Sequence, residues 1–154
     1  MLKYLNVSYQ KAILYFSFDY FFVLSLVRKR IINMGKVKLK VAIVGTRTPK
    51  LSYSEWEKLL LEEISPDDMS LIVSGGAAGI DTYAKLFAGR HQIPLMEFLP
   101  DYSKYGIKAP LVRNKKNIKE ASKVIAFPSE ESRGTFHAIS EARRLKKTVV
   151  VKKI

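Results

Sequence analysis

Three glycine-bearing segments hold the residues whose types and spacing suit chemistry in this chain. Gly45-Thr46-Arg47 ends the apolar run 41–44. Ser74-Gly75-Gly76-Ala77-Ala78-Gly79-Ile80-Asp81 ends a second run, 71–73, and Ser132-Arg133-Gly134-Thr135 follows a third, 124–127. Glycine lets a backbone approach a ligand closely and takes dihedrals closed to other residues. Beside it, the Thr46 hydroxyl can donate to a phosphate oxygen, and the Arg47 guanidinium offers a planar fork for one. Gly79 and Gly134 stand just ahead of or within helix starts, where backbone amides lack partners and attract anions. Arg113-Asn114 adds a phosphate- and sugar-gripping pair ahead of the third run.

The chemistry indicated is capture of a nucleotide-type anion. The candidate ligand-binding set is Gly45, Thr46, Arg47, Ser74, Gly75, Gly76, Ala77, Gly79, Asp81, Arg113, Asn114, Ser132, Gly134 and Thr135. Asp81 has two readings: a hydrogen bond to a ribose or base, or a carboxylate that caps the helix or holds its own loop shut. Thr135 reads as a ligand contact or as a helix cap. Glu130-Glu131 reads as an exposed loop or as a pair that meets a base, a sugar or magnesium. No residue is assigned a catalytic role. The dinucleotide fingerprint G-x-G-x-x-G and the Walker A lysine pattern are both missing from these loops, which argues against NAD binding and ATP hydrolysis.

The elements that must position these residues alternate. Residues 37–44, 70–73, 93–99, 123–127 and 148–152 read as strands, nearly continuous in apolar residues as strands covered on both faces should be. Between them, helical spacing joins Trp56, Leu59 and Leu60, then Ile80, Tyr83, Ala84 and Phe87. It reappears over 111–121 and again over 135–146, in Phe136, Ile139, Ala142, Arg143 and Lys146. Ser52 with Glu55 three residues on is a capping-box signature. Residues 101–110 read as polar and aromatic loop. The pattern predicts an α/β fold: a doubly wound, Rossmann-like parallel sheet of about five strands in three α/β/α layers. By analogy with other doubly wound folds, the expected strand order is 3-2-1-4-5, which places the three glycine loops at one crevice.

The chain has 154 residues, room for one core. It has no cysteine, which excludes disulfides and thiolate chemistry, and its two histidines, His91 and His137, are far apart. No cofactor or metal is expected. A net charge of +13, from 27 basic and 14 acidic residues, favours anionic partners. Those partners are a nucleotide or nucleotide-derived small molecule, or single-stranded nucleic acid; self-association is a further reading.

Residues 1–33 differ from the rest and divide the chain into an apolar N-terminal extension, 1–33, and a nucleotide-binding domain, 34–154. The run 12–27 is apolar and aromatic, contains Asp19 and is followed by Arg28-Lys29-Arg30. Three readings fit: a membrane or interfacial anchor, an extra packed helix, or a segment preceding a true start at Met34. Inserted, the basic cluster would keep the α/β domain on the cytoplasmic side. The expected location is cytoplasmic, with membrane association through residues 12–27 as the variant.

Taken together, "VAIVGTR" at 41–47, "IVSGGAAGID" at 72–81, Arg113-Asn114 and "ASKVIAFPSEESRGTFHAI" at 121–139 resemble the SLOG superfamily over about residues 37–152. The nearest likeness is to the Rossmann core of the DNA-processing protein A family and to small single-domain SLOG proteins. That resemblance implies single-stranded DNA binding at the crevice and a recombinase as partner. The "lonely guy" phosphoribohydrolases are more distant relatives. They would imply cleavage of nucleoside 5'-monophosphates, but their proline-glycine-glycine loop and closely spaced glutamates have no match after Thr135, where the first glutamate is Glu141.

Overall fold

The computed structural model describes residues 37–154, together with Val23 and Leu24. The expectations for residues 1–22 and 25–36, including an anchor at 12–27 and a start at Met34, lie outside the described residues. Among the described residues, no helix is long and apolar enough to cross a membrane.

Five strands and five α-helices lie along residues 38–154, alternating except for two successive helices between the third and fourth strands. They are β1 (Leu39–Gly45), α1 (Tyr53–Leu61), β2 (Met69–Ser74), α2 (Ile80–Arg90), β3 (Leu95–Glu97), α3 (Tyr102–Tyr105), α4 (Ala109–Glu120), β4 (Lys123–Phe127), α5 (Arg133–Arg144) and β5 (Thr148–Val151). All strand pairings are parallel, in the order β3-β2-β1-β4-β5. This is the expected doubly wound arrangement. Chain order reverses direction between β1 and β4, which puts the loops after those strands beside the switch point.

The sheet is covered on both faces, and alternation along each strand shows it. Val41, Ile43, Ile72, Ile125 and Phe127 face a core with Trp56 and Leu60 of α1 and Ile80, Ala84 and Phe87 of α2. Ala42, Val44, Val73, Val124 and Ala126 face the other core with Ile118 of α4 and Ala138, Ile139 and Ala142 of α5. Successive strand side chains point to opposite faces, so a strand buried on both sides is apolar throughout. The capping box forms as read: Ser52 Oγ accepts from Glu55 N–H, and the Glu55 carboxylate accepts from Ser52 N–H at 2.8 Å.

Several boundaries depart from the sequence reading. β3 is three residues instead of the expected 93–99, because Pro94 and Pro100 bracket it and neither can donate to a ladder. The expected loop 101–110 holds α3 and a 3-10 turn, Gly106–Lys108. Asp101 caps α3 by accepting from Lys104 N–H at 3.0 Å. α4 starts at Ala109 because Pro110 suits the first turn of a helix, where its missing N–H costs nothing. α5 begins at Arg133, two residues before the expected Thr135, so Thr135 lies inside the first turn.

Candidate functional site

The loops after β1 and β4 and the starts of α2, α4 and α5 enclose a cavity of about 330 Å³. Of the expected set, Gly45, Thr46, Arg47, Ala77, Asp81, Arg113, Asn114, Ser132, Gly134 and Thr135 line it. Ser74, Gly75, Gly76 and Gly79 do not, although Gly75 packs against Arg113 and Gly79 against the backbone of Thr46 and Arg47, all in the lining.

The glycines divide by function. Gly45 is needed because Ile80 packs where its Cβ would be. Gly79 has φ +78°, and a side chain there would strike the carbonyls of Thr46 and Arg47. The same Thr46 carbonyl accepts from Ile80 N–H at 3.1 Å, so the first loop caps α2. Gly76 has φ +64°, a left-handed turn that favours glycine. Gly75, expected to share that freedom, has no positive φ. Its Cβ would instead collide with the Arg113 guanidinium. Gly134 differs from all of these. Nothing lies within 4 Å of a Cβ built on it, so open space remains above its backbone in the crevice.

Arg113 is the buried organiser of the site. Its Nη1 donates to the Gly75 carbonyl and lies 3.8 Å from Asp81 Oδ2. Asp81 Oδ2 also accepts from Ala77 N–H at 3.1 Å. Both side chains are 9% exposed. Burial raises the Asp81 carboxyl from its ordinary value, opposed by the Ala77 N–H and by Arg113. Burial likewise lowers the Arg113 guanidinium, opposed by Asp81. Asp81 thus holds its own loop shut, one of the two roles open to it from sequence.

On the opposite wall a chain of hydroxyls joins two loops. Ser129 Oγ donates to Thr46 Oγ1 at 3.1 Å and lies 2.8 Å from Ser132 Oγ. Thr46 N–H donates to the Phe127 carbonyl at 3.0 Å, and Ser129 N–H donates to Ser132 Oγ at 3.0 Å. Ser132 is therefore turned toward Ser129, and no side chain caps α5. Its first-turn amides and the positive end of its dipole face the crevice beside Gly134. Asn114 Nδ2 donates to the Gly134 carbonyl at 3.0 Å and joins α4 to α5 at this end.

Residues outside the expected set also line the cavity, among them Thr48, Asn117, Ser129, Glu131 and Arg133. Asn117 is 1% exposed and its Oδ1 has no partner among the described residues. Its signal was available: it lies one helical turn from Arg113 and Asn114 on the same face. Ser129 follows Pro128 at the end of β4, the position from which α/β crevices take their ligand contacts. Of the Glu130-Glu131 pair, only Glu131 is in the lining. Among the described residues, no group of three or more His, Cys, Asp or Glu is placed to hold a metal ion.

An anion fits this arrangement. Arg47 and Arg133 are exposed at the cavity, Arg113 lies beneath it, and an uncapped helix start faces it. Asp81 and Glu131 are the two carboxylates in the lining, and Asp81 is committed to Ala77 and Arg113.

No curated protein matches the chain. Its fold is similar to that of DNA processing protein A (DprA) from Streptococcus pneumoniae, with a TM-score of 0.61 and 18% identity over 74% of this chain and 50% of that one. It is also similar to DNA processing protein A from Helicobacter pylori, with a TM-score of 0.57 and 23% identity over 75% of this chain and 65% of that one. The Helicobacter structure was described for its unique single-stranded DNA binding mode. The chain spans between half and two thirds of the length of these structures. The model of the DNA recombination-mediator protein A family matches residues 31–135, the stretch that contains β1 to β4, all three glycine loops and the Arg113–Asp81 pair. With the sheet order, the crevice and that match in agreement, the chain belongs to the DNA recombination-mediator protein A family.

Proposed function

We propose that the crevice binds single-stranded nucleic acid through its phosphate backbone, without turnover. The observation that supports this most directly is the α5 start. It is uncapped, it has open space at Gly134, and it stands with Arg47 and Arg133 around one cavity. Backbone amides at a helix start and arginine forks are the groups that meet phosphate oxygens. The single-strand binding of the Helicobacter relative supports the same reading. The net charge of +13 supplies a long-range field of the right sign.

The test is fluorescence anisotropy of labelled oligothymidylates at several salt concentrations. Affinity is expected to fall steeply with salt, by about 0.7 in log K per log salt for each phosphate contact. Arg47→Lys keeps the charge but loses the fork, so it is expected to weaken binding by roughly 1–3 kcal/mol with the melting temperature unchanged. Salt-independent affinity removes the proposal. Equal affinity in wild type and Arg47→Lys would place Arg47 on the solvated surface.

A second reading is a nucleotide or nucleotide-derived phosphorylated small molecule held in the same crevice. The cavity volume of about 330 Å³ favours it. That lies at the small end of ligand sites, roughly 300–1,000 Å³. Mass spectrometry of whatever copurifies with the protein separates the two. A stoichiometric nucleotide, together with no oligothymidylate binding, would establish the small-molecule reading.

A further inference from the structure

We infer that the seam between α4 and α5 is a phosphate track that carries a single strand away from the crevice. The inference rests on the single-strand reading above and extends it to a surface outside the cavity. The two helices are joined at the crevice end by the bond from Asn114 Nδ2 to the Gly134 carbonyl. They run on together over a shared core of Ile118, Ala121, Ala138, Ile139 and Ala142.

Basic side chains enter this seam from both sides. The Glu141 carboxyl is lowered from its ordinary value because Arg144 bonds to it, with Lys115 across the seam adding to the pull. Lys147 Nζ donates to the Lys119 carbonyl at 3.4 Å. Lys115 and Arg144 therefore converge on Glu141, and Lys147 reaches across to the backbone of α4 at Lys119. Lys116, Arg143 and Lys146 stand exposed on the same segments. Residues 115–120 and 141–147 carry seven bases and two acids. Both acids are already engaged: Glu120 with Lys40 at 2.5 Å, and Glu141 with Arg144 at 2.6 Å. The other bases of these segments have no salt bridge among the described residues. This excess is not a lattice of ion pairs, and it calls for a polyanion.

The shape of the patch separates nucleic acid from a lipid surface. A basic face that enters a membrane carries large apolar residues among its charges. Here the exposed large apolar residues of α4 and α5 are Leu111 and Phe136, both at the crevice end, and none lies within 115–120 or 141–147. From Gly134 to Arg144, where α5 ends, the seam is about 15 Å long, at ~1.5 Å per helical residue. A stacked strand rising ~3.4 Å per nucleotide would lay roughly four nucleotides along it.

The experiment uses the full chain with labelled oligothymidylates of four and fifteen nucleotides. The variants are Lys115→Gln/Lys119→Gln/Lys147→Gln and Lys115→Gln/Lys116→Gln/Lys119→Gln; the second leaves the Lys147 bond intact in case the first does not fold. With three phosphate contacts removed, the first variant is expected to flatten the plot of log K against log salt by about 2 for the long strand. The short strand, seated in the crevice, is expected to bind as in wild type. An unchanged long-strand slope in both variants overturns the track, and so does an equal loss for both strands. A loss of binding to phosphatidylserine vesicles with long-strand affinity intact overturns it in favour of a membrane surface. If wild type binds neither strand, the single-strand reading falls and the track with it. If Arg47→Lys weakens the short strand while both triple variants match wild type, only the track is lost.

Discussion

Replacing Gly75 with alanine tests whether the site is organised by one guanidinium. The backbone at Gly75 has no positive φ, so alanine is not strained there. Its Cβ would instead occupy the place of the Arg113 guanidinium, close to Asp81 Oδ2. Arg113 would have to withdraw from the Gly75 carbonyl and from Asp81. Losing a hydrogen bond made by a charged group costs about 1.5–3 kcal/mol. Against this, alanine restricts the unfolded chain and returns about 0.4–1 kcal/mol. The expected net destabilisation is therefore about 1–2 kcal/mol. Arg113→Met removes the same contacts from the other side. If both changes act through the guanidinium, the double variant should be no less stable than Arg113→Met alone, and the two effects should fall short of additivity by about 1–2 kcal/mol. Urea unfolding followed by the fluorescence of Trp56, the only tryptophan and fully buried, measures all three variants. Effects that sum within about 0.5 kcal/mol would refute the argument, because Gly75 would then be required for some other reason.

Three further outcomes follow from the same geometry. Burial raises the Asp81 pKa, so the folded chain takes up that proton more readily than the unfolded one; the stability of wild type relative to Asp81→Asn should be greatest at low pH and fall as pH rises through the window just above the ordinary carboxylate range, and thermal melts showing a flat or rising difference would contradict it. Gly89→Ala and Gly134→Ala both place a methyl in open space within a helix, so each should stabilise by about 0.5–1 kcal/mol, while Gly134→Ala alone should weaken oligothymidylate binding; equal binding by both variants would show that the space above Gly134 is not used. The fragment 34–154 is expected to unfold cooperatively without residues 1–33, and a soluble fragment lacking a thermal transition would show that the extension belongs to the core.

Much of the frame was legible because burial on both faces leaves an unbroken apolar signature. The bounds 123–127 of β4 are legible as they stand; the strand order, which agrees with the structure, comes from analogy with other doubly wound folds and not from these residues. Short-range chemistry was legible where a side chain meets its own neighbourhood, as Ser52 meets Glu55. The segment from Asp101 to Lys108 was not, since α3 depends on a single aspartate cap and lacks an apolar period long enough to read. In the site, the types of residue were legible but their directions were not. Arg113 was visible as a cation, but nothing local shows that it turns under Gly75, a contact across 38 positions. The same holds for Gly75 itself, whose need is steric and distant and not conformational. Ser129 escaped notice because its bond to Thr46 spans 83 positions. Asn117 carried a periodic signal, one turn from Arg113, that looked like an ordinary polar helix face.

The inward-turned hydroxyls of Thr46, Ser129 and Ser132 have a thermodynamic consequence. Loops at a binding site commonly lose freedom only when the partner arrives, and each immobilised side chain then subtracts about 0.5–1.5 kcal/mol from the affinity. In this chain the two loops are tied to each other and to the Phe127 carbonyl by the protein's own hydrogen bonds. Their entropy is surrendered during folding. Little of it remains to be lost on association, so under the single-strand reading proposed above each phosphate contact would add to the affinity almost undiminished.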